Sequence, residues 1–154
     1  MKMKLAEALL LRAEYKNKLE NLQYRILSNI KVQETDKPLE NPQSLLNEAF
    51  EISEQLCALI KKINCCNNET KLSTGQTLSE AIVERDMIMK KRNILSAVAS
   101  RALERDYRLT HTEIKMNIVI SIADIQKQTD MLSRQFRELD AQIQALNWLT
   151  ELQD

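Results

Sequence analysis

The chain has 154 residues, 44% hydrophobic and 29% charged, with Lys+Arg and Asp+Glu balanced at 22 each. That composition excludes a disordered or membrane-embedded chain, and neutrality removes any long-range pull toward phosphate backbones or anionic lipids. The length suits a single domain, residues 1–154, with a core of its own.

The N-terminal run "MKMKLAEALLLRAEYKNK" has the look of a signal peptide, but Glu7, Arg12 and Glu14 interrupt its apolar stretch. It reads instead as the start of an amphipathic helix. This first helix is expected from about Lys4 to Ile30, with Leu5, Ala8, Leu11, Tyr15, Leu19, Leu22, Ile26 and Ile30 on one face. "KVQETDKPLE" breaks the pattern. Asn41 then stands as a cap before Pro42, which has the fixed φ suited to a first helical turn.

The second helix carries Leu45, Ala49, Ile52, Leu56, Leu59, Ile63 and Cys66, steps of four and three that make a heptad seam. "NNETKLSTGQ" ends it, with Gly75 as the turn residue. Thr77 and Glu80 form a T-x-x-E capping box for a third helix, expected to run to about Asp106. That helix is apolar on more than one side, which predicts a central position with several neighbours.

"EIKMNIVISIAD" changes the rhythm: Ile114, Met116, Ile118 and Ile120 alternate with other residues. Period two predicts a short β-strand at about 113–120. A lone strand has unpaired backbone groups on both edges. Its partner would be residues 30–35, or the same strand of a second subunit; the plain alternative is a connection without a ladder. Ser121 and Asp124 cap the fourth helix. There Ile122, Ile125, Thr129, Leu132, Phe136, Leu139, Ile143 and Leu146 keep a strict 3-4 alternation. Trp148 sits opposite that seam, beside Leu149 and Leu152, which suggests a second contact surface.

The expected fold is therefore all-α: four long helices in a bundle plus the short strand. Each helix of about 25–30 residues is roughly 40 Å long at 1.5 Å per residue.

The chemistry is mostly exclusion. A di-iron bundle site needs two Glu-x-x-His pairs, and the chain has one histidine, His111. One glycine cannot build a phosphate loop. Cys57, Cys65 and Cys66 are an odd set without CxxC, read as free thiols in a reducing compartment, hence the cytoplasm. Lys90, Lys91 and Arg92 lack interleaved aromatics, so no nucleic-acid partner is expected, and no apolar run predicts a membrane one. No cofactor is expected, and no small-molecule ligand is identified.

Two constellations stay open. Glu48 and Glu51 share a helical stripe, and with Glu84 and Asp86 they offer carboxylates for a divalent metal and a hydrolase. Solvated faces are the plainer reading. Arg85 and Arg92 lie on the apolar stripe of the third helix and must be satisfied if buried. They either form structural ion pairs with Asp86, Asp124, Asp130 or Asp140, or line an anion pocket near Asn64, Asn67 and Thr70.

"MKLAEALLLRAEYKNKLENL", "NIKVQE", "INCCNNETKL", "TLSEAIVERD" and "IQKQTDMLSRQFRELDAQIQALNWLTEL" together resemble the septicolysin-like family of small bacterial proteins. The resemblance implies long helices and an activity that is uncharacterised, with a cytolysin suggested by the family name alone. It singles out residues 29–34, with Asn29, Gln33 and Glu34, residues 64–70, and the pair Arg85–Asp86 as binding candidates. The favoured expectation is an oligomeric helical binding or structural module, a homo-oligomer touching through Ile114, Met116, Ile118, Ile120 and Trp148.

Overall fold

A computed structural model describes residues 2–104 and 114–153. The chain is all-α, with α1 at Leu5–Asn29, α2 at Pro42–Glu69, α3 at Leu78–Leu103 and α4 at Ile122–Leu149. The expected end of α3 near Asp106, and Glu113 at the head of the expected strand, lie outside the described residues. The single domain expected from length is organised as two compact units. Met1–Ser79 with Gln144–Asp154 form one, and Glu80–Ile143 the other.

In the first unit, α1 starts where the Lys4 amide donates to Glu7 Oε2 at 2.7 Å, satisfying a donor that the first turn leaves open. It packs against α2 through Leu22, Leu45 and Ile52, flanked by Tyr15, Leu19, Ile26 and Ala49. These are the seam positions that helical spacing predicts. The connection between the two helices is an irregular loop. Asp36 donates to the Gln33 carbonyl at 2.9 Å, and Asn29 Oδ1 accepts from the Glu40 amide at 3.1 Å. Asn41 Oδ1 then accepts from Gln43 and Ser44 at 2.9 and 3.3 Å, and Pro42 opens α2.

After α2, residues 70–78 reverse direction. Leu72 donates to Gln76 O and Leu78 to Thr70 O, at 2.9 and 2.8 Å. Gly75 takes φ 90° at the tip, where a side chain would be strained. The two chain ends meet in the same unit: Leu5 N donates to Thr150 O at 2.9 Å and Leu152 N to Met3 O at 2.8 Å. Lys4 Nζ adds an ion pair to Glu151 at 3.2 Å. Around this clasp Leu5, Ala8, Ile63, Leu72, Leu78 and Leu152 are buried.

In the second unit, Ser121 caps α4: its Oγ accepts from the Asp124 amide at 3.2 Å. The α4 seam is buried at Ile125, Leu132 and Ile143 and half-buried at the positions between. On α3, Ala81 and Ile88 are buried and Arg85, Arg92, Leu95, Ala99 and Ala102 half-buried, one stripe at helical spacing.

Two expectations are corrected. Residues 114–120 form no strand, and neither do residues 30–35, so the ribbon between them is absent. The reason is local. Turn and side-chain bonds already occupy residues 29–40, and seven residues of one segment cannot satisfy their own edges. The third helix is also covered on fewer sides than its composition suggests, because Val83, Met87, Ile94 and Leu103 are exposed.

Candidate functional site

Arg85 is the best-organised of the predicted candidates. From its position on the covered stripe of α3 it reaches Asp140 of α4, Nη1 to Oδ1 at 3.0 Å. Its Nε and Nη2 also donate to Asp86 Oδ1 at 3.2 and 3.1 Å. The guanidinium is thus held by two carboxylates and is about one-fifth exposed. A fork of N–H donors already taken by side-chain carboxylates has little left for a ligand anion. At Arg85 ion pairs of the expected kind are present, with Asp86 and Asp140 the partners among those predicted. Arg92 is half-buried on the same stripe.

The remaining candidates fall in the first unit and serve local structure. Asn29 Nδ2 donates to Arg25 O at 2.8 Å while its Oδ1 accepts from Glu40. Arg25 and Glu40 close the same loop as a two-point ion pair, with Arg25 Nε 2.9 Å from Glu40 Oε2. The bond from Arg25 holds the Glu40 carboxyl below its ordinary value, against partial desolvation, and the Arg25 guanidinium is raised by the same bond. Gln33 and Glu34 are exposed in that loop. Thr70 supplies backbone bonds to Cys66 and Leu78, ending α2. Asn64 is exposed and Asn67 half-buried, both on the last turns of α2.

Among the described residues, no three His, Cys, Asp or Glu side chains stand close enough to hold a metal ion. Glu48 and Glu51 lie in the first unit and Glu84 and Asp86 in the second, all four exposed. The physical reason is spacing. Carboxylates on successive turns of one helix face water unless a second helix brings others opposite them. The cysteines are free: Cys57 and Cys65 exposed, Cys66 buried. Glu69, 3.4 Å from the Cys65 thiol, raises its pKa by accepting its hydrogen bond, the opposite of what a reactive thiolate needs. Cys66 sits under the terminal clasp, with Sγ 4.0 Å from the Glu151 carbonyl.

One buried polar group escaped sequence reasoning. Asn147, on the last turns of α4, is 4% exposed and its Oδ1 has no hydrogen-bond partner among the described residues. Its position beside the seam, four residues past Ile143, is the only sequence signal that could have marked it as buried.

Trp148 is 57% exposed and Leu149 72%. Leu152, expected beside them on the surface, is instead buried in the clasp. Among the described residues no helix is long and apolar enough to cross a membrane.

These features define an all-α protein of four long helices whose ordered polar groups hold the fold together. Comparison with known proteins then places it. Residues 12–152 match the family described as "Family of unknown function (DUF6847)", and the chain belongs to that family. It is similar to a crystal structure of a functionally unknown conserved protein from Corynebacterium diphtheriae. The two share 38% identity over 99% of this chain and 100% of that one, with a TM-score of 0.90. No curated protein matches.

The family match corrects the septicolysin-like resemblance, and the cytolysin that its name suggested falls with it. The segments that carried the resemblance are largely heptad seams, caps and turn residues. Any protein with helices at these places needs such residues, so they mark architecture more than ancestry.

Proposed function

We propose that this protein is a self-associating helical binding or structural module that works in the cytoplasm. The observation that supports it is uncovered apolar surface. Buried and exposed apolar residues are out of balance among the described residues.

The imbalance is concentrated in the unit Glu80–Ile143. Its buried apolar residues among those described are Ala81, Ile88, Ile125, Leu132 and Ile143. Val83, Met87, Ile94, Leu103, Met131 and the apolar side chains of residues 114–120 face solvent. Exposed large apolar side chains in this number are surface that a second chain could cover. Three free thiols without a disulfide framework support a reducing compartment.

Sedimentation and light scattering at micromolar protein test the reading. A mass of two or more chains is the expected result. A single-chain mass across that range would remove the self-association on which the module rests.

A further inference from the structure

Among the described residues, the segment 114–120 is the most exposed apolar stretch. Ile114 is 90% exposed and Val119 98%, with Met116, Ile118 and Ile120 also facing solvent. Among the described residues, no backbone N–H or C=O of these seven residues is paired with another. Such a segment offers an apolar face and backbone groups without a partner among the described residues, the two features that drive addition of a strand.

The sequence of the segment also says which strand fits it. "IKMNIVI" is close to a palindrome about Asn117. Set antiparallel to its own copy with Asn117 facing Asn117, Ile114 meets Ile120 and Met116 meets Ile118. All four apolar side chains then lie on one face of the ribbon, since residues directly opposite share a face. Lys115 meets Val119, so the two lysines never face each other. Moving the centre of the pairing by half a residue would place apolar opposite polar positions and destroy the common face. Moving it by a whole residue would leave an apolar position of the segment without its partner.

We infer that residues 114–120 of two copies pair as antiparallel strands about a two-fold axis at Asn117, so that a second copy of this chain occupies this surface. The inference rests on the self-association proposed above and adds its partner surface and register. A two-stranded ribbon alone is marginal in water, and seven residues a side fall short of the roughly 800 Å² per partner of a standard interface. Val83, Met87 and Ile94, exposed along α3 of the same unit, supply the further apolar area.

Disulfide trapping reads the register directly. With Cys57 and Cys65, the two exposed thiols, replaced by serine, Asn117→Cys and Lys115→Cys are compared in the full chain. Paired residues on antiparallel strands have Cα atoms about 4.5–5.5 Å apart, within disulfide reach. In this register the two copies of position 115 are four residues out of step, about 13 Å apart. Mild oxidation should link most of the Asn117→Cys protein into dimers on a non-reducing gel and leave Lys115→Cys as single chains. Circular dichroism matching the parent protein confirms that either variant is folded.

If Asn117→Cys stays single while the parent sediments as an oligomer, the pairing is wrong and the self-association stands. Equal linkage at both positions also overturns the register. A parent that sediments as one chain removes both.

Discussion

At the scale of single residues, several side chains are tied to one another by bonds whose worth depends on burial. Arg85 shows this best. Its position on the covered stripe of α3 obliges it to find carboxylates, and Asp140 is the one supplied by another helix. Asp140→Asn should lower stability in urea unfolding by about 1 kcal/mol, because a half-buried guanidinium loses its cross-helix partner. Arg134→Gln breaks the exposed pair with Glu138, four residues along α4, and should cost clearly less, because water screens an exposed pair. Equal losses for the two variants would show that burial does not set the value of the Arg85 pair.

Glu40 makes a prediction about pH. Its carboxyl is held below the ordinary value by the bond from Arg25. The unfolded chain therefore binds the proton more readily, and the pair stabilises the fold at pH values above the unfolded carboxylate pKa. That stabilisation is lost as pH falls through the lower folded value. Melting temperatures of wild type and Glu40→Gln should differ near neutrality and converge in acid, below about pH 4. A constant difference across the range would refute the assignment.

At the scale of elements, the local signals were legible because each depends on residues within a turn or two. The α1, α2 and α4 seams, the Asn41 and Ser121 caps, and Gly75 all stand where spacing and backbone chemistry put them. Gly75 can be tested cleanly. Its φ of 90° is costly for a side chain, yet a Cβ there would meet nothing within 4 Å. Gly75→Ala should therefore destabilise by about 1 kcal/mol through backbone strain alone, and Gly75→Asn by less. Thermal unfolding measures both, and an unchanged melting temperature for the alanine variant would mean the turn relaxes.

The elements that misled were those whose state depends on something remote. The alternation of residues 114–120 is real, but alternation describes a strand only if a partner is present. Period two was read correctly as a pattern and incorrectly as an element of the single chain. The two-sided apolar surface of α3 predicted several neighbours by the same reasoning. The chain covers one stripe and exposes Val83, Met87 and Ile94.

At the scale of the whole molecule, the proposed assembly has a thermodynamic consequence. The proposed self-association would couple folding to assembly. The melting temperature should then rise with protein concentration, since mass action favours the folded oligomer. A tenfold dilution series followed by circular dichroism checks it, and a melting temperature independent of concentration would oppose the proposal. The candidate site gave a different lesson. Asn29, Thr70, Arg85 and Asp86, candidates for binding by residue type, all make bonds within the chain, in a cap, a loop and ion pairs. Residue type alone cannot separate these uses, because a ligand and a neighbouring side chain satisfy the same donors.

The sequence by itself determined the class of the fold, the approximate limits of its four helices, and the residues that cap and turn them. These follow from backbone preferences and helical periodicity, which act over a few residues. Tertiary structure alone decided the clasp between the chain ends, the burial of Asn147, the pairing of Arg85 with Asp140, and the exposure of residues 114–120. Each of those joins or separates residues far apart in the chain, and no local preference reports what a folded chain brings opposite.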